Sequence, residues 1–283
     1  MSLFDSKEAS ISGLLQPTVA QSIVAQLIHG VAFLHSQNIV HGGNVLVQFA
    51  EAIDHSTTPE LYERFGAPEP EAVVRLDGQP LTDGVPSHVF VPGWFGDLLG
   101  DFGESFNPQK TARFSSKTLP LLQPPEARFS DAPLSFASDI WTLACTVWEI
   151  FGQRPLFEAY FPTPDRVTAE QVEVLGLLPS EWWEKWSQRA DWFNEEGELS
   201  KRPNSMRRAW EQRFSDSIQE PRAKTGLKTV TKDERNAFEA MMRSMLAFRP
   251  GERATAQQLM HSEWMKGWGQ PAQERSWGLA KGQ

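Results

Sequence analysis

The sequence is poor in cysteine, in basic residues and in long apolar runs, and each shortage removes a class of protein. One cysteine, Cys145, stands in 283 residues, so no internal disulfide can form and a reducing compartment, cytoplasmic or nuclear, is the expectation. Lys and Arg number 27 against 36 Asp and Glu, a formal charge of -9. That balance repels phosphate backbones and anionic lipid, so nucleic acid is not an expected partner. No window reaches about 18 uninterrupted apolar residues, and the expectation on length alone is that no membrane is inserted. The N-terminal MSLFDSKEAS carries acids where a signal peptide carries basic residues, and neither Ser2 nor the terminal AKGQ offers a lipid-attachment signal. No internal repeat or low-complexity tract is present. Hydrophobic residues make up 40 % and charged residues 22 % of the chain, which excludes wholesale disorder and fibrous architectures.

The apolar residues that are present fall in recognisable periods. Val19, Ile23, Val24, Leu27, Ile28, Val31 and Leu34 form one stripe at helical spacing, opened by Gln16-Pro17-Thr18. A His41-Gly42-Gly43-Asn44 turn then leads into the β-branched run Val45-Leu46-Val47. Residues 49–96 are rich in Pro, Gly and acids and read as a surface insertion, with a small hairpin around Val73 to Leu81 as its ordered part. A second strand-like run, Asp97-Leu98-Leu99, precedes Asp101-Phe102-Gly103. Phe136 to Phe151 is apolar on nearly every face and predicts a helix in the middle of a domain. Shorter amphipathic pieces follow at Ala169 to Leu178, Glu181 to Phe193, Lys232 to Leu246 and Thr255 to Met265, whereas 195–230 reads as a long exposed connection. The tryptophans Trp182, Trp183, Trp186 and Trp192 are expected to pack rather than to recognise a ligand.

Five of these pieces, in this order, resemble the C-terminal lobe of a protein kinase. The stretch VAFLHSQNIVHGGNVLV is similar to the helix and catalytic loop of that lobe, D-F-G at 101–103 to its metal-binding motif, and P-P-E at 124–126 to the A-P-E that closes the activation segment. S-D-I-W-T-L-A at 138–144 resembles the buried helix that follows, and R-P-G-E-R-A-T-A-Q-Q-L-M-H-S-E-W the closing helix with its arginine, Arg253. L-G-L-L-P at 175–179 with the W-W-x-x-W cluster is similar to fungal enzymes related to the SR-protein kinases. The resemblance implies an α-rich α+β fold over residues 15–268, helical, with short strands near the catalytic loop and D-F-G. It leaves 49–96 and 179–230 as insertions and 1–14 and 269–283 as flexible tails. It also implies ATP and Mg²⁺ as cofactors and a protein as substrate or partner. In that frame Asp101 and Asn44 would hold metal, and Leu46 would floor the adenine. His41, Phe102 and Gly103 would be structural, with Asp139 reaching back to the loop backbone and Glu126 pairing with Arg253. Ser115, Ser116 and Thr118 lie where activation-segment phosphorylation sites occur.

The departures bear on chemistry. In H-R-D-x-x-x-x-N seven positions separate His from Asn, but His41 and Asn44 are three apart, and no carboxylate lies between Ile39 and Gln48. The group that would orient a substrate hydroxyl is therefore missing. Residues 1–14 contain neither a Gly-rich loop nor a V-A-I-K lysine, so the resemblance implies a lobe without its N-terminal partner. The expectation is a Ser/Thr kinase by ancestry that is catalytically impaired. The alternatives are a non-catalytic pseudokinase-like interaction module and a truncated fragment.

Overall fold

The computed structural model describes residues 13–42, 45–49, 57, 59, 70–71, 87–88, 95–99, 102–159, 161–194, 197–198 and 208–281. Helix α1 (Pro17–Ser36) begins with proline at its first turn, where the missing N–H costs nothing. Strand β1 (Val45–Phe49) follows, then the two-residue strands β2 (Pro70–Glu71) and β3 (Ser87–His88), then β4 (Phe95–Leu99). β1 and β4 form an antiparallel ladder with Val45 opposite Leu99 and Phe49 opposite Phe95. β2 pairs with β3. The expected hairpin around Val73 to Leu81 lies between these two strands, outside the described residues. Beyond the ladder the chain is helical: α2 (Glu126–Phe129), α3 (Phe136–Phe151), α4 (Pro164–Leu175), α5 (Ser180–Lys185), α6 (Trp210–Phe214), α7 (Glu220–Lys224), α8 (Lys232–Met245), α9 (Ala256–Met260) and α10 (Gln270–Lys281). This is an α-rich α+β fold of the kinase C-lobe kind.

Local chemistry sets the helix ends. Ser135 caps α3 by accepting the Ala137 N–H, Thr163 caps α4, Thr231 caps α8, and Thr255 with Gln258 completes a capping box on α9. Eleven of the 16 residues of α3 are buried. Trp141 and Trp148 have no exposed surface; Trp141 stacks on Phe157 and Phe248, while Trp148 meets Phe214 edge-on in a cluster that continues through Phe238, Phe151 and Trp264 in edge-to-face and tilted contacts. Cys145 sits in this core, and burial pushes its thiol well above the ordinary range. It is a packing residue and not a nucleophile.

Three expectations change in the fold. First, α1 is long and apolar enough by length and composition to cross a membrane, although its apolar residues are interrupted. Its apolarity has a packing cause, since 56 % of that window is buried within the protein, against α3, α9 and α10. Second, the segment expected to be an exposed connection holds a continuous helical stretch from Trp210 to Lys224, with a π-helical turn at Ser215–Gln219 between α6 and α7. It buries Trp210, Phe214, Ile218 and the side chains of Arg213 and Arg222. Arg213 can be buried because its guanidinium bonds the Leu156 carbonyl and the Glu170 carboxylate, and Arg222 because it bonds the Leu15 and Phe151 carbonyls. Third, 270–281, expected in a flexible tail, is helix α10. Ala272 and Gln273 are buried, and Ser276 hydrogen-bonds Ser22 of α1 at 3.0 Å. At the other end Leu14 and Leu15 are also buried.

Candidate functional site

The site is assembled where α1, the loop after it and the first turn of α3 converge. Asp139, in that first turn and 6 % exposed, accepts the backbone N–H of His41 at 2.7 Å and of Gly42 at 3.0 Å. His35, from the last turn of α1, places Nε2 3.1 Å from the same carboxylate. A carboxylate holding two backbone amides and an imidazole fixes the loop without any regular structure in it. Gly42 has φ +63, and a Cβ there would stand 3.2 Å from the Glu104 carbonyl, so conformation and space both favour glycine.

Above this anchor the His41 ring, itself buried, meets Phe102 edge-on with centroids 5.1 Å apart. Phe102 and Gly103 lie in a 3₁₀ turn, Phe102–Glu104. Phe102 remains 46 % exposed. Val40 and Phe106 form an isolated antiparallel bridge and, with Leu134, a small core beneath the loop. The sequence gives no local sign that His35 joins the group. Only the length of α1, which sets where its last turn ends, brings it to Asp139.

The second anchor lies under α2. Arg253 is fully buried and holds Glu126 through two parallel bonds, Nη1 to Oε1 at 2.7 Å and Nη2 to Oε2 at 2.6 Å. Its remaining donors go to the carbonyls of Ala137, Ala247 and Phe248, and its plane lies over the Trp141 ring. One arginine thus fastens the end of the 102–125 segment to both α3 and the stretch before α9.

β1 starts at Val45, so three residues separate it from His41. Asn44 directly precedes β1, and Asp101 follows two residues after β4. Both lie outside the described residues. Leu46 occupies the second position of β1, opposite Leu98. The ladder's Val45–Leu99 end is therefore where the chain runs on, in sequence, toward both expected metal ligands.

No protein-family model matches the sequence. Over 186 residues, 61 % of this chain and 42 % of each relative, it is 24 % identical to serine/threonine protein kinases from two strains of Aspergillus fumigatus. Over 132 residues, 45 % of this chain and 29 % of the relative, it is 30 % identical to serine/threonine-protein kinase SRPK of Physarum polycephalum. The matched region spans less than half the length of these relatives. The chain is thus distantly similar to serine/threonine protein kinases, and its α-rich fold is compatible with a helical kinase C-lobe.

Proposed function

We propose that this chain is a protein-kinase-like domain whose ancestral reaction is ATP-dependent phosphorylation of protein serine or threonine, and that it is catalytically impaired as it stands. The observation that carries the impairment is the connection from His41 to β1. His41 and Gly42 are held by Asp139 as a kinase-like loop would be, yet only three residues follow before the strand begins, and none from Ile39 to Gln48 is a carboxylate. Phosphoryl transfer depends on positioning and charge neutralisation, so loss of the group that orients the acceptor hydroxyl removes orders of magnitude of rate.

ATP with Mg²⁺ would supply the transferable phosphoryl group. By resemblance Asp101 and Asn44 would hold the metal and Leu46 would lie under the adenine. The partner is a protein, and the buried, unpaired Cys145 suits a cytoplasmic or nuclear setting. Incubation of the purified protein with labelled ATP and a Ser/Arg-rich peptide tests the reading. No label above a no-protein control is expected, and transfer abolished by Asp101→Ala would overturn the impairment. A second reading, an active enzyme, is favoured by the names of the relatives and by the intact D-F-G.

A further inference from the structure

The helical stretch from Trp210 to Lys224 is fastened to α4 and to residues 154–158 by arginines that each serve two acids. Arg213 places Nη2 2.7 Å from Glu170 Oε2 and 3.7 Å from Glu173 Oε1. Arg208 places Nη1 2.6 Å from Glu158 and Nη2 3.1 Å from Asp216. We propose that this cluster is a proton-linked clasp, which holds the 208–224 stretch most tightly while Glu170 carries a proton and slackens as that carboxyl ionises. The proposal goes beyond phosphotransfer and stands whether or not the chain transfers phosphate.

The charge balance carries the argument. Four carboxylates meet Arg208 and Arg213, and the only further cation among the described residues of the cluster is Arg154, 4.0 Å from Glu158. With every acid ionised an excess negative charge remains. In water that would matter little, but the side chains of Arg213, Glu173 and Glu170 are only 2 %, 4 % and 13 % exposed. Glu170 and Glu173 stand three residues apart on α4, so they share a face and one guanidinium nitrogen. Two carboxylates placed so, away from water, are favoured with one proton between them.

Glu170 is the acid that gives way. Glu173 accepts the Arg208 backbone N–H at 2.7 Å, a bond that favours its ionised form. Burial pushes the Glu170 carboxyl above the ordinary range; Arg213 opposes the rise and the charge of Glu173 adds to it. The charges on the neighbouring elements are engaged elsewhere. From α8, Arg235 lies over the Phe214 ring and pairs with Glu239, while Arg243 lies over the Trp210 ring, 4.0 Å from Glu211. Helix α3 meets the stretch with the Trp148 ring.

The direction follows from linkage. When the stretch lifts from α4, Glu170 is hydrated and returns to its ordinary value near 4.5. The docked form therefore binds the proton more tightly than the open form, and rising pH shifts the balance toward opening. Opening would also free the Leu156 carbonyl from Arg213 and expose Trp210 and Phe214. Glu234, in the field of Arg222 at the far end of the stretch, titrates in the same sense, so the test isolates Glu170 by substitution.

The test is hydrogen exchange of the full chain read by mass spectrometry at about pH 5 and about pH 7.5, corrected for the intrinsic pH dependence of amide exchange. In the parent, protection of residues 210–224 relative to that of α3 should fall severalfold over this interval. Glu170→Gln keeps an oxygen for Arg213 and removes the titration. It should match the parent at the lower pH and protect the stretch severalfold better than the parent at the higher one. A merely structural ion pair predicts the reverse, since losing the carboxylate would then weaken docking near neutrality. Lower protection in Glu170→Gln at the higher pH, a parent-to-variant ratio that does not change with pH, or a parent whose relative protection is flat overturns the clasp.

Discussion

Arg253 spends every donor group it has inside the protein, and the charge it brings there is tolerated only because Glu126 meets it with both oxygens. Removing the acid would leave a buried guanidinium half-satisfied, which costs far more than the pair contributes as a pair. Glu126→Ala should therefore lower stability by about 3 kcal/mol in urea unfolding. A loss under about 1 kcal/mol would mean that water reaches the arginine. Glu234 poses the opposite problem. Burial raises its carboxyl above the ordinary range, offset in part by the Gln21 amide at 2.7 Å and by the charge of Arg222. Arg222 is itself pushed down to about 10 by burial. A carboxyl raised in the folded state contributes stability that is present below its unfolded value, near 4.5, and lost as pH rises through the folded value. Glu234→Gln removes that dependence. The stability of the parent relative to this variant should fall as pH is raised from about 4.5 toward neutrality, and a pH-independent difference would refute the shift.

The helices that the sequence made hard to see are those whose amphipathic character is masked by buried charge or by position. Trp210, Phe214, Ile218 and Pro221 recur at intervals of three and four, a helical stripe. Arg213 and Arg222 interrupt it with residues that are normally exposed; the Leu156 carbonyl and Glu170 carboxylate for Arg213, and the Leu15 and Phe151 carbonyls for Arg222, make their burial tolerable. The helix α10 is similar: Ala272 and Gln273 look like surface residues until α1 is placed beside them. Ala272→Asp puts an unpaired carboxylate into that contact and should cost about 3 kcal/mol in thermal unfolding. Limited proteolysis of the parent should leave residues 270–276 attached under native conditions. Rapid clipping there would show that the helix opens readily from α1.

At the scale of the molecule, the described residues form a helical lobe in which loop, 3₁₀ turn and ladder meet at one end. If that end holds nucleotide only through Asp101, Asn44 and Leu46, affinity for MgATP should be weak, with a dissociation constant of about a millimolar or more. A ligand present at its dissociation constant stabilises by about 0.4 kcal/mol, so about 1 mM MgATP should move the melting curve by roughly 1 °C or less. A rise of several degrees that Asp101→Ala abolishes would show a competent nucleotide site.

The sequence by itself determined the helical class, the burial of Phe136 to Phe151, the strand after the His41 turn and the absence of a carboxylate between Ile39 and Gln48. Each of these is written in contiguous residues, as a period, a cap or a spacing. The tertiary structure alone decided that His35 reaches Asp139, that Arg213 and Arg222 can be interior residues, and that α10 covers α1. Those facts depend on which surfaces meet across long stretches of chain. A side chain's exposure, and with it the cost of its charge, is fixed only when its partners arrive.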